Sequence, residues 1–338
     1  MFQKAPNVSL SQIAESILKL SDFYIQVPGG STPWSKEFCK TAYRHYFLPL
    51  NYLRCQRVVE KGAQVGFFDD LTHFIDWGCG PGTASLAIAH SAKLQKNIKK
   101  QVLIDQSPIP LEIFSDRQAE LIHPEKTSDT SLKSHLDQKH QSCLIFSYSL
   151  TEIEELPRGW DQFEALMILE PSTGEDGRKL LGLRQQLLEK GYSMWAPCTH
   201  QLRCPLLIES KSDWCHDRIV VNAPQWFEEL EQLLPMKNRT ITTSYLLARK
   251  RKSPDYPKNM GRLIGDSREE NGKTRQLFCR GEKREFLAWM HKKITPQVFP
   301  RGELAQLPEL VEEKSNELRV QSECELVVDP ASQGRLNI

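Results

Sequence analysis

The sequence predicts an α/β fold built around a largely parallel sheet, and three observations support this prediction. Short apolar segments alternate with helical segments between residues 71 and 250, as in strands joined by crossover helices. A glycine-rich turn follows the first of these strands, and a helix follows the turn. The strands are apolar along their length, which is expected where helices cover both faces of a sheet.

Composition narrows the class of protein. The 338 residues are 39% hydrophobic and 26% charged, as in an ordinary globular protein. No apolar run approaches the length that spans a bilayer, and the N-terminus lacks the features of a secretory signal. We therefore expect a cytoplasmic protein with no membrane association. The 9 cysteines are then predicted to be thiols or metal ligands, because a reducing compartment disfavours disulfides.

We divide the chain into four regions: a helical N-terminal region (1–70), a sheet domain (71–250) with a cysteine-rich insertion (196–221), a small basic appendix of strands (251–300), and an acidic tail (301–338). The first helix is predicted from Ile13, Ile17 and Leu20 at helical spacing, with Ser9 as a candidate cap. A weak third strand of the sheet is expected near residues 125–140. The acidic tail is expected to be poorly ordered.

Charge is unevenly distributed, although the net charge is only +1. From Arg249 to Lys293 there are fourteen Lys and Arg against six Asp and Glu. From Gly302 to Ile338 there are three Lys and Arg against eight Asp and Glu. The basic stretch is either a solvated face or a surface for a polyanion such as RNA.

The glycine-rich turn predicts a site for a nucleoside cofactor. The residues predicted to form it are Asp76, Gly78, Gly80, Gly82 and Asp105. Glycines let the backbone approach a ligand closely at the start of a helix. Asp105 ends the next apolar strand, where a carboxylate can accept hydrogen bonds from a ribose diol. Thr83 occupies the position where the dinucleotide fingerprint needs its last glycine, so NAD is disfavoured.

Four cysteines predict a metal site. Three lie in the insertion and one in the appendix: Cys198, Cys204, Cys215 and Cys279. Four thiolates suffice for tetrahedral zinc or for a cubane iron–sulfur cluster. The absence of two-residue chelate spacings and the Cys204-Pro205 step favour iron–sulfur over zinc. His200 and His216 are alternatives for one ligand position.

The cofactor motif resembles that of class I S-adenosylmethionine (SAM)-dependent methyltransferases. Asp76 and the three glycines match the first motif of that fold, and Asp105 matches its ribose-binding acid. The resemblance covers about Thr72 to Lys250 and implies a Rossmann-like sheet that binds SAM. The segment from Ser147 to Glu152 lacks the Asn/Asp-Pro-Pro-aromatic tetrad of amine methylation. Tyr148 and Glu152 are candidate substrate contacts, and no catalytic residue is assigned.

A closer resemblance is to the methyltransferase-like assembly factors of the mitochondrial small ribosomal subunit and their bacterial relatives. It rests on these motifs: Asp76 to Thr83, Glu170-Pro171, Ala196 to His200, Cys204-Pro205-Leu206, Asp213-Trp214-Cys215-His216, Ser244-Tyr245 and Cys279. The resemblance implies that the four cysteines hold a 4Fe-4S cluster and that the protein binds small-subunit rRNA. It also implies a mitochondrial location in a eukaryote.

Together these features predict a SAM-binding, methyltransferase-like protein with an iron–sulfur cluster. We expect it to associate with small-subunit rRNA and to support ribosome assembly or translation by binding rather than catalysis. Away from the ribosome we expect a monomer. The alternative is an active SAM-dependent methyltransferase acting on rRNA or another substrate, which the intact cofactor motif supports.

Overall fold

A computed structural model describes residues 4, 6–27, 29–235, 240–297, 299–327 and 336–337. The chain divides into two compact units: Met1–Glu170 with Ile219–Ile241 and Arg335–Ile338, and Pro171–Arg218 with Thr242–Gly334. In the described part of the chain, no helix has the length and apolar character needed to cross a membrane.

The α-helices are α1 (Leu10–Gln26), α2 (Glu37–Ala42), α3 (Leu48–Gln64), α4 (Thr83–Ala89), α5 (Pro108–Ile113), α6 (Ser115–Gln118), α7 (Gly174–Glu189), α8 (Pro205–Glu209) and α9 (Gln225–Gln232). A π-helical turn (Tyr43–Phe47) and 3₁₀ turns (Lys133–Gln141, Leu150–Glu152, Trp160–Gln162) complete the helical segments of these residues.

The strands are β1 (His73–Trp77), β2 (Lys100–Ile104), β3 (Pro124–Thr127), β4 (Ser142–Ser147), β5 (Ala165–Glu170), β6 (Ser193–Ala196), β7 (Asp217–Asn222), β8 (Thr240–Arg249), β9 (Met260–Leu263), β10 (Arg268–Glu270), β11 (Lys273–Cys279), β12 (Glu285–Met290), β13 (Leu304–Gln306), β14 (Val311–Lys314), β15 (Glu317–Val320), β16 (Glu325–Val327) and β17 (Leu336–Asn337).

The N-terminal region of the first unit is helical, as its periodicity predicts. Ser9 caps α1 in a capping box with Gln12, each side chain accepting the other residue's backbone N–H. Ile13, Ile17 and Leu20 are fully buried on one face of α1. The predicted cap and the predicted apolar face of this helix are both confirmed.

A parallel sheet forms the centre of the first unit, in the order β5-β4-β1-β2-β3. Ile75 at the middle of β1 pairs with Val102 of β2 on one side and Leu144 of β4 on the other. The strand order reverses at β1, so the chain leaves β1 and β4 in opposite directions. Such a switch point opens a crevice at the carboxyl ends of the strands, where open α/β sheets bind ligands. The α/β prediction with a parallel sheet is confirmed.

The second unit contains a β6/β8 antiparallel pair and a separate sheet in the order β14-β15-β12-β11-β9-β13-β16, with β10 beside β11. This second sheet is mostly antiparallel, although β12 and β15 run parallel. Its core includes Phe278, Leu287, Trp289 and Leu318, all almost completely buried.

Residues 301–327 differ from the poorly ordered acidic tail that composition predicted. They contribute β13, β14, β15 and β16 to the second sheet, and Leu318 and Val320 are buried in its core. Two of their acidic side chains form ion pairs within the second unit, Glu313 with Arg280 and Glu317 with Lys273. Residues 328–335 and 338 of the predicted tail lie outside the described residues.

The division into units also differs from the predicted boundary at residue 250. The first continuous stretch of the first unit ends at Glu170, and α7 with residues 196–218 of the cysteine-rich insertion belongs to the same unit as the second sheet. The physical reason is a shared apolar core, which comprises Leu181, Cys204, Leu206, Ile264, Leu277 and Phe286. The basic appendix therefore does not form a separate module.

Candidate functional site

A cleft opens in the first unit at the switch point of the sheet. Its volume is about 1080 Å³, counted with the part that is open to solvent. Of the five residues predicted to bind the cofactor, Gly78, Gly80 and Asp105 line the cleft, whereas Asp76 and Gly82 do not.

The three glycines of the turn have positive φ angles of 67°, 50° and 80° for Gly78, Gly80 and Gly82. Other residues rarely adopt this left-handed conformation. A Cβ on Gly82 would lie 2.7 Å from Leu103, so packing as well as backbone geometry requires this glycine. A Cβ on Gly80 would instead point toward Trp34 on the cleft wall, at 3.3 Å from its ring. A side chain at position 80 would therefore enter the cleft beside Trp34.

Asp105 connects the end of β2 to the glycine turn. Its Oδ2 accepts the backbone N–H of Gly80 at 2.8 Å, and its Oδ1 accepts that of Ser107 at 2.9 Å. Burial raises the pKa of Asp105, and the two backbone hydrogen bonds oppose that shift. Each carboxylate oxygen has a second lone pair, so the group can still accept a hydrogen bond from a ligand hydroxyl.

Asp76 lies beneath the turn and is buried. Ser85 of α4 donates to its Oδ2 through both the backbone N–H (3.2 Å) and the hydroxyl (2.8 Å). Among the described residues, Oδ1 has no hydrogen-bond partner. Burial raises the pKa of Asp76 to about 6, against the lowering effect of the Ser85 hydrogen bonds. In this position Asp76 connects β1 to α4 and does not line the cleft.

The N-terminal region supplies one wall of the cleft, which sequence reasoning missed. Ser31, Thr32 and Trp34 line it, although they are more than 40 residues from the glycine turn. The Thr32 hydroxyl donates to Oε1 of Glu152 at 2.9 Å. The ring of Trp34 lies 4.5 Å from that of Tyr43. No spacing pattern links this segment to the glycine motif, so the sequence gives no sign of the contact.

The segment after β4 also lines the cleft, in contact with Thr32, and contains both candidate substrate contacts, Tyr148 and Glu152. Tyr148 has a φ of 61°, an uncommon conformation for a bulky residue and one that is enriched at functional sites. Burial raises the pKa of Glu152, and the nearby carboxylate of Asp105 raises it further, against the hydrogen bond from Thr32. Among the described residues that line the cleft, Asp105 and Glu152 are acidic and none is Lys, Arg or His.

In the second unit, the four predicted metal ligands line one cavity. Cys198 follows β6, Cys204 precedes α8, Cys215 precedes β7, and Cys279 ends β11. Burial raises the pKa of Cys204 to about 11 and that of Cys279 well above its ordinary value. Within the residues that the structure describes, no group of three or more His, Cys, Asp or Glu is placed so as to hold a single metal ion.

Two buried arginines donate hydrogen bonds to cysteines of this cavity. Arg184 of α7 donates through Nε to the Sγ of Cys198 at 3.1 Å. Arg262 of β9 donates through Nη1 to the Sγ of Cys215 at 2.7 Å, and it also pairs with Asp217. Both side chains line the cavity, whereas its described lining contains no Asp or Glu. Sequence reasoning did not single out either arginine.

The structure distinguishes between His200 and His216, the two alternatives for one ligand position. His200 lines the cavity, with its Nε2 3.4 Å from the Sγ of Cys279, whereas His216 does not line it. Burial and the charge of Arg184 lower the pKa of His200 to about 4, so its ring is neutral at neutral pH. His200 is therefore the better placed of the two to stand beside a metal group.

Comparison with protein families decides the assignment. Residues 39–285 match the family described as "Mitochondrial small ribosomal subunit Rsm22". The chain belongs to the Rsm22 family. This confirms the predicted resemblance to factors of the mitochondrial small ribosomal subunit. No curated protein matches the chain.

Solved structures similar to this chain include methyltransferases. M. capricolum TrmK with S-adenosyl-homocysteine is 12% identical over 60% of this chain and 70% of that chain, with a TM-score of 0.33. Precorrin-6y C5,15-methyltransferase from Geobacter metallireducens is 11% identical over 58% and 86%, at 0.32. M. jannaschii TYW2 with AdoMet is 10% identical over 57% and 76%, at 0.30. The assignment to the Rsm22 family rests on the matched residues and not on these likenesses.

Much of the positive charge in the basic stretch of this Rsm22-family chain is already paired. Arg275 contacts Glu270 at 2.6 Å, and Arg284 contacts Asp213 at 2.6 Å. Arg249 is 1% exposed and packs over Trp195. These arginines are poor partners for RNA phosphates, because a new contact would require breaking an existing one. Lysines of the same stretch are exposed: Lys250, Lys258, Lys283 and Lys292.

Proposed function

We propose that this Rsm22-family protein binds SAM in the cleft and a cysteine-ligated iron–sulfur cluster in the cavity. It associates with small-subunit rRNA and supports ribosome assembly or translation by binding rather than by catalysis. The observation that carries the proposal is the pairing of a glycine-turn cleft at a sheet switch point with a separate cavity lined by four cysteines.

SAM suits the cleft because the cofactor is a nucleoside with positive charge. Gly80 offers a backbone surface to the ligand, and Asp105 offers a carboxylate to a ribose diol. Asp105 and Glu152 complement the positive sulfonium and ammonium groups of SAM. In this assignment Asp76, Gly78 and Gly82 act by fixing the turn.

An iron–sulfur cluster suits the cavity because its lining includes four cysteines, whose thiolates are soft donors. Nη1 of Arg184 is buried beside Cys198 without a hydrogen-bond partner in the described structure, as expected if an anionic group belongs there. Cys198, Cys204, Cys215 and Cys279 would hold the cluster, which would cross-link the insertion to the second sheet. Tetrahedral zinc on the same thiolates is the alternative.

The segment after β4 favours binding over catalysis. Ser147, Tyr148 and Ser149 occupy the position where an amine-methylating enzyme has its Asn/Asp-Pro-Pro-aromatic tetrad. Serine and tyrosine hydroxyls at this position do not hold an exocyclic amine in the plane needed for methyl transfer. The cleft can therefore bind SAM without the group that aligns a nucleobase.

Association with rRNA would use the exposed lysines of the basic stretch. We expect the protein, as a monomer away from the ribosome, to co-sediment with small ribosomal subunits. Replacing Lys250, Lys283 and Lys292 with Glu should weaken co-sedimentation and lower its salt dependence by about one unit of log–log slope per lost phosphate contact. Lys179→Glu is the matched control, because Lys179 is an exposed lysine of α7 paired with Glu175. Unchanged co-sedimentation of the triple variant would place the RNA contact elsewhere.

A second candidate function is methyl transfer to rRNA or another substrate. Glu152 favours it, because a cleft carboxylate with a raised pKa is suited to accept a proton from a nucleophile. Incubation with tritiated SAM and small-subunit rRNA separates the two functions. Incorporation of label that disappears in Gly80→Val would establish catalysis, whereas SAM binding without incorporation supports the binding role.

A further inference from the structure

Arg184 is a buried cation whose interactions are incomplete. It lies in α7 and is 1% exposed. Nε donates to the Sγ of Cys198 at 3.1 Å, and Nη2 donates to the carbonyl of His200 at 2.9 Å. Nη1 is buried and makes no hydrogen bond within the described structure. One face of the guanidinium therefore points into the cysteine cavity with a donor to spare.

No carboxylate of the described residues forms an ion pair with Arg184. This distinguishes it from Arg262, whose charge is balanced by Asp217. A buried charge without a partner costs several kcal/mol, roughly, so such groups are retained where a counter-charge completes the site. Arginine stays protonated at any ordinary pH and cannot escape the cost by losing a proton. An anion in the cavity beside Cys198 would supply the missing partner of Nη1.

We propose that Arg184 is a positioning residue of the cluster site and balances the charge of the cysteine-ligated cluster. The inference rests on the cluster in the proposed function. Four thiolates outweigh the positive charge of a cubane core, so the ligated cluster is an anion. Arg184 holds Cys198 through Nε and offers Nη1 to that anion, while Arg262 holds Cys215. The two arginines thus affect the stability and the midpoint potential of the cluster, although neither is a ligand of its iron.

Loss of this charge has two measurable consequences. The cluster should lose iron to a chelator about 10-fold faster, because removal of a hydrogen-bonding partner of a metal ligand typically costs that much affinity. The midpoint potential of the retained cluster should fall. Reduction by an added reductant such as dithionite adds negative charge to the cluster, and a neighbouring cation stabilises the reduced form.

The experiment compares anaerobically prepared parent, Arg184→Gln, Arg184→Lys and Arg178→Gln proteins. Arg178 is the matched control on the same helix, because it donates to the carbonyls of Leu206 and Asp213 and does not line the cavity. We expect Arg184→Gln to lower the midpoint potential and speed iron loss. Arg184→Lys should restore most of the potential. Arg178→Gln should leave the potential of the retained cluster unchanged, even if it loosens the loop.

Equal potentials and iron-loss rates in parent and Arg184→Gln would overturn this inference while leaving the cluster in place. A parent protein with neither iron nor sulfide would overturn the proposed cluster and this inference with it. If Arg184→Gln fails to fold, pulsed EPR of the reduced parent labelled with ¹⁵N-arginine provides the test. A nitrogen coupling that Arg184→Lys abolishes supports the contact, and a coupling that Arg184→Lys leaves unchanged refutes it.

Discussion

The cleft of the first unit and the cavity of the second unit have opposite charge. The described lining of the cleft contains Asp105 and Glu152 and no basic residue. The described lining of the cavity contains Arg184 and Arg262, together with the neutral His200, and no Asp or Glu. The cleft is thus prepared for a cation and the cavity for an anion. SAM and a thiolate-ligated metal cluster match these requirements.

The two sites also differ in how the chain builds them. The cofactor motif of the cleft comes from one strand, one turn and the next strand, so its glycines and Asp105 lie within about 30 residues of one another. The walls of the cleft come from distant segments, because its lining ranges from residue 31 to residue 153. The cavity draws on α7, the cysteine insertion and the second sheet, whose residues range from 177 to 279. The motif depends on backbone conformation, whereas the cavity as a whole depends on tertiary packing.

The largest expected effect is on the backbone of the cleft. Gly80→Val should abolish SAM binding, because valine at a φ of 50° is strained and its side chain would enter the space beside Trp34. Calorimetry and the SAM-induced rise in melting temperature measure this loss. Gly182→Ala is the control, since a Cβ there meets no atom within 4 Å. SAM affinity equal to that of the parent would show that the turn has only a structural role.

A second prediction separates support of the turn from ligand binding. Burial raises the pKa of Asp76 to about 6, above its unfolded value. The folded protein therefore binds a proton more tightly than the unfolded chain, and this residue's contribution to stability falls as pH rises from about 4 to about 6. Asp76→Asn removes that dependence. The free energy of unfolding of the variant, relative to that of the parent, should therefore increase by about 2 kcal/mol between pH 4 and pH 7.

Denaturant unfolding of both proteins across this pH range measures the difference. A difference that stays constant with pH would mean that the Asp76 carboxylate is not desolvated. Because Asp76 does not line the cleft, the variant should still bind SAM. Loss of SAM binding together with normal stability would instead show that Asp76 takes part in binding SAM.

The smallest of these effects concerns charge recognition in the cleft. Glu152→Gln should weaken SAM binding about 10-fold and leave S-adenosylhomocysteine nearly unaffected, because only SAM has a sulfonium charge. The pKa of Glu152 is raised, so SAM affinity should fall as pH drops through that pKa, while S-adenosylhomocysteine affinity should not. Glu155→Gln, at an exposed acid of the same loop, is the control. Equal losses for both ligands would remove charge as the basis of the cleft's selectivity.

The sequence could predict the parallel sheet and the glycine turn because both depend on local patterns. Gly80 and Asp105, two of the residues predicted to bind the cofactor, both line the cleft, since the turn and the end of β2 meet at one edge of the sheet. Thr32 and Trp34 were not predictable, because tertiary folding alone brings the N-terminal segment to that edge. Asp76 matches the cofactor motif, yet its carboxylate faces Ser85 of α4 instead of the cleft.

In the second unit, the acidic composition of residues 301–327 predicted disorder, whereas the alternation of apolar and charged residues indicates a strand. The acidic residues around Leu318 and Val320 suggested disorder, whereas these two side chains alternate with charged ones as in a strand with one buried face. No sequence pattern indicated that Arg184 is buried or that it lines the cavity. A lone arginine in a charged helix is normally exposed, and its burial follows from the cavity that the insertion and β11 close around it.

Metal analysis of the anaerobically purified protein tests the opposite-charge account most directly. The account predicts one cubane equivalent of iron and sulfide per chain, with a visible charge-transfer absorption that Cys198→Ser, Cys204→Ser, Cys215→Ser and Cys279→Ser each diminish. Cys143→Ser should leave it intact, because Cys143 is buried in β4 of the first unit. Stoichiometric zinc would keep the ligand set and the anionic site while replacing the cluster. A protein that holds neither metal under these conditions would contradict the account.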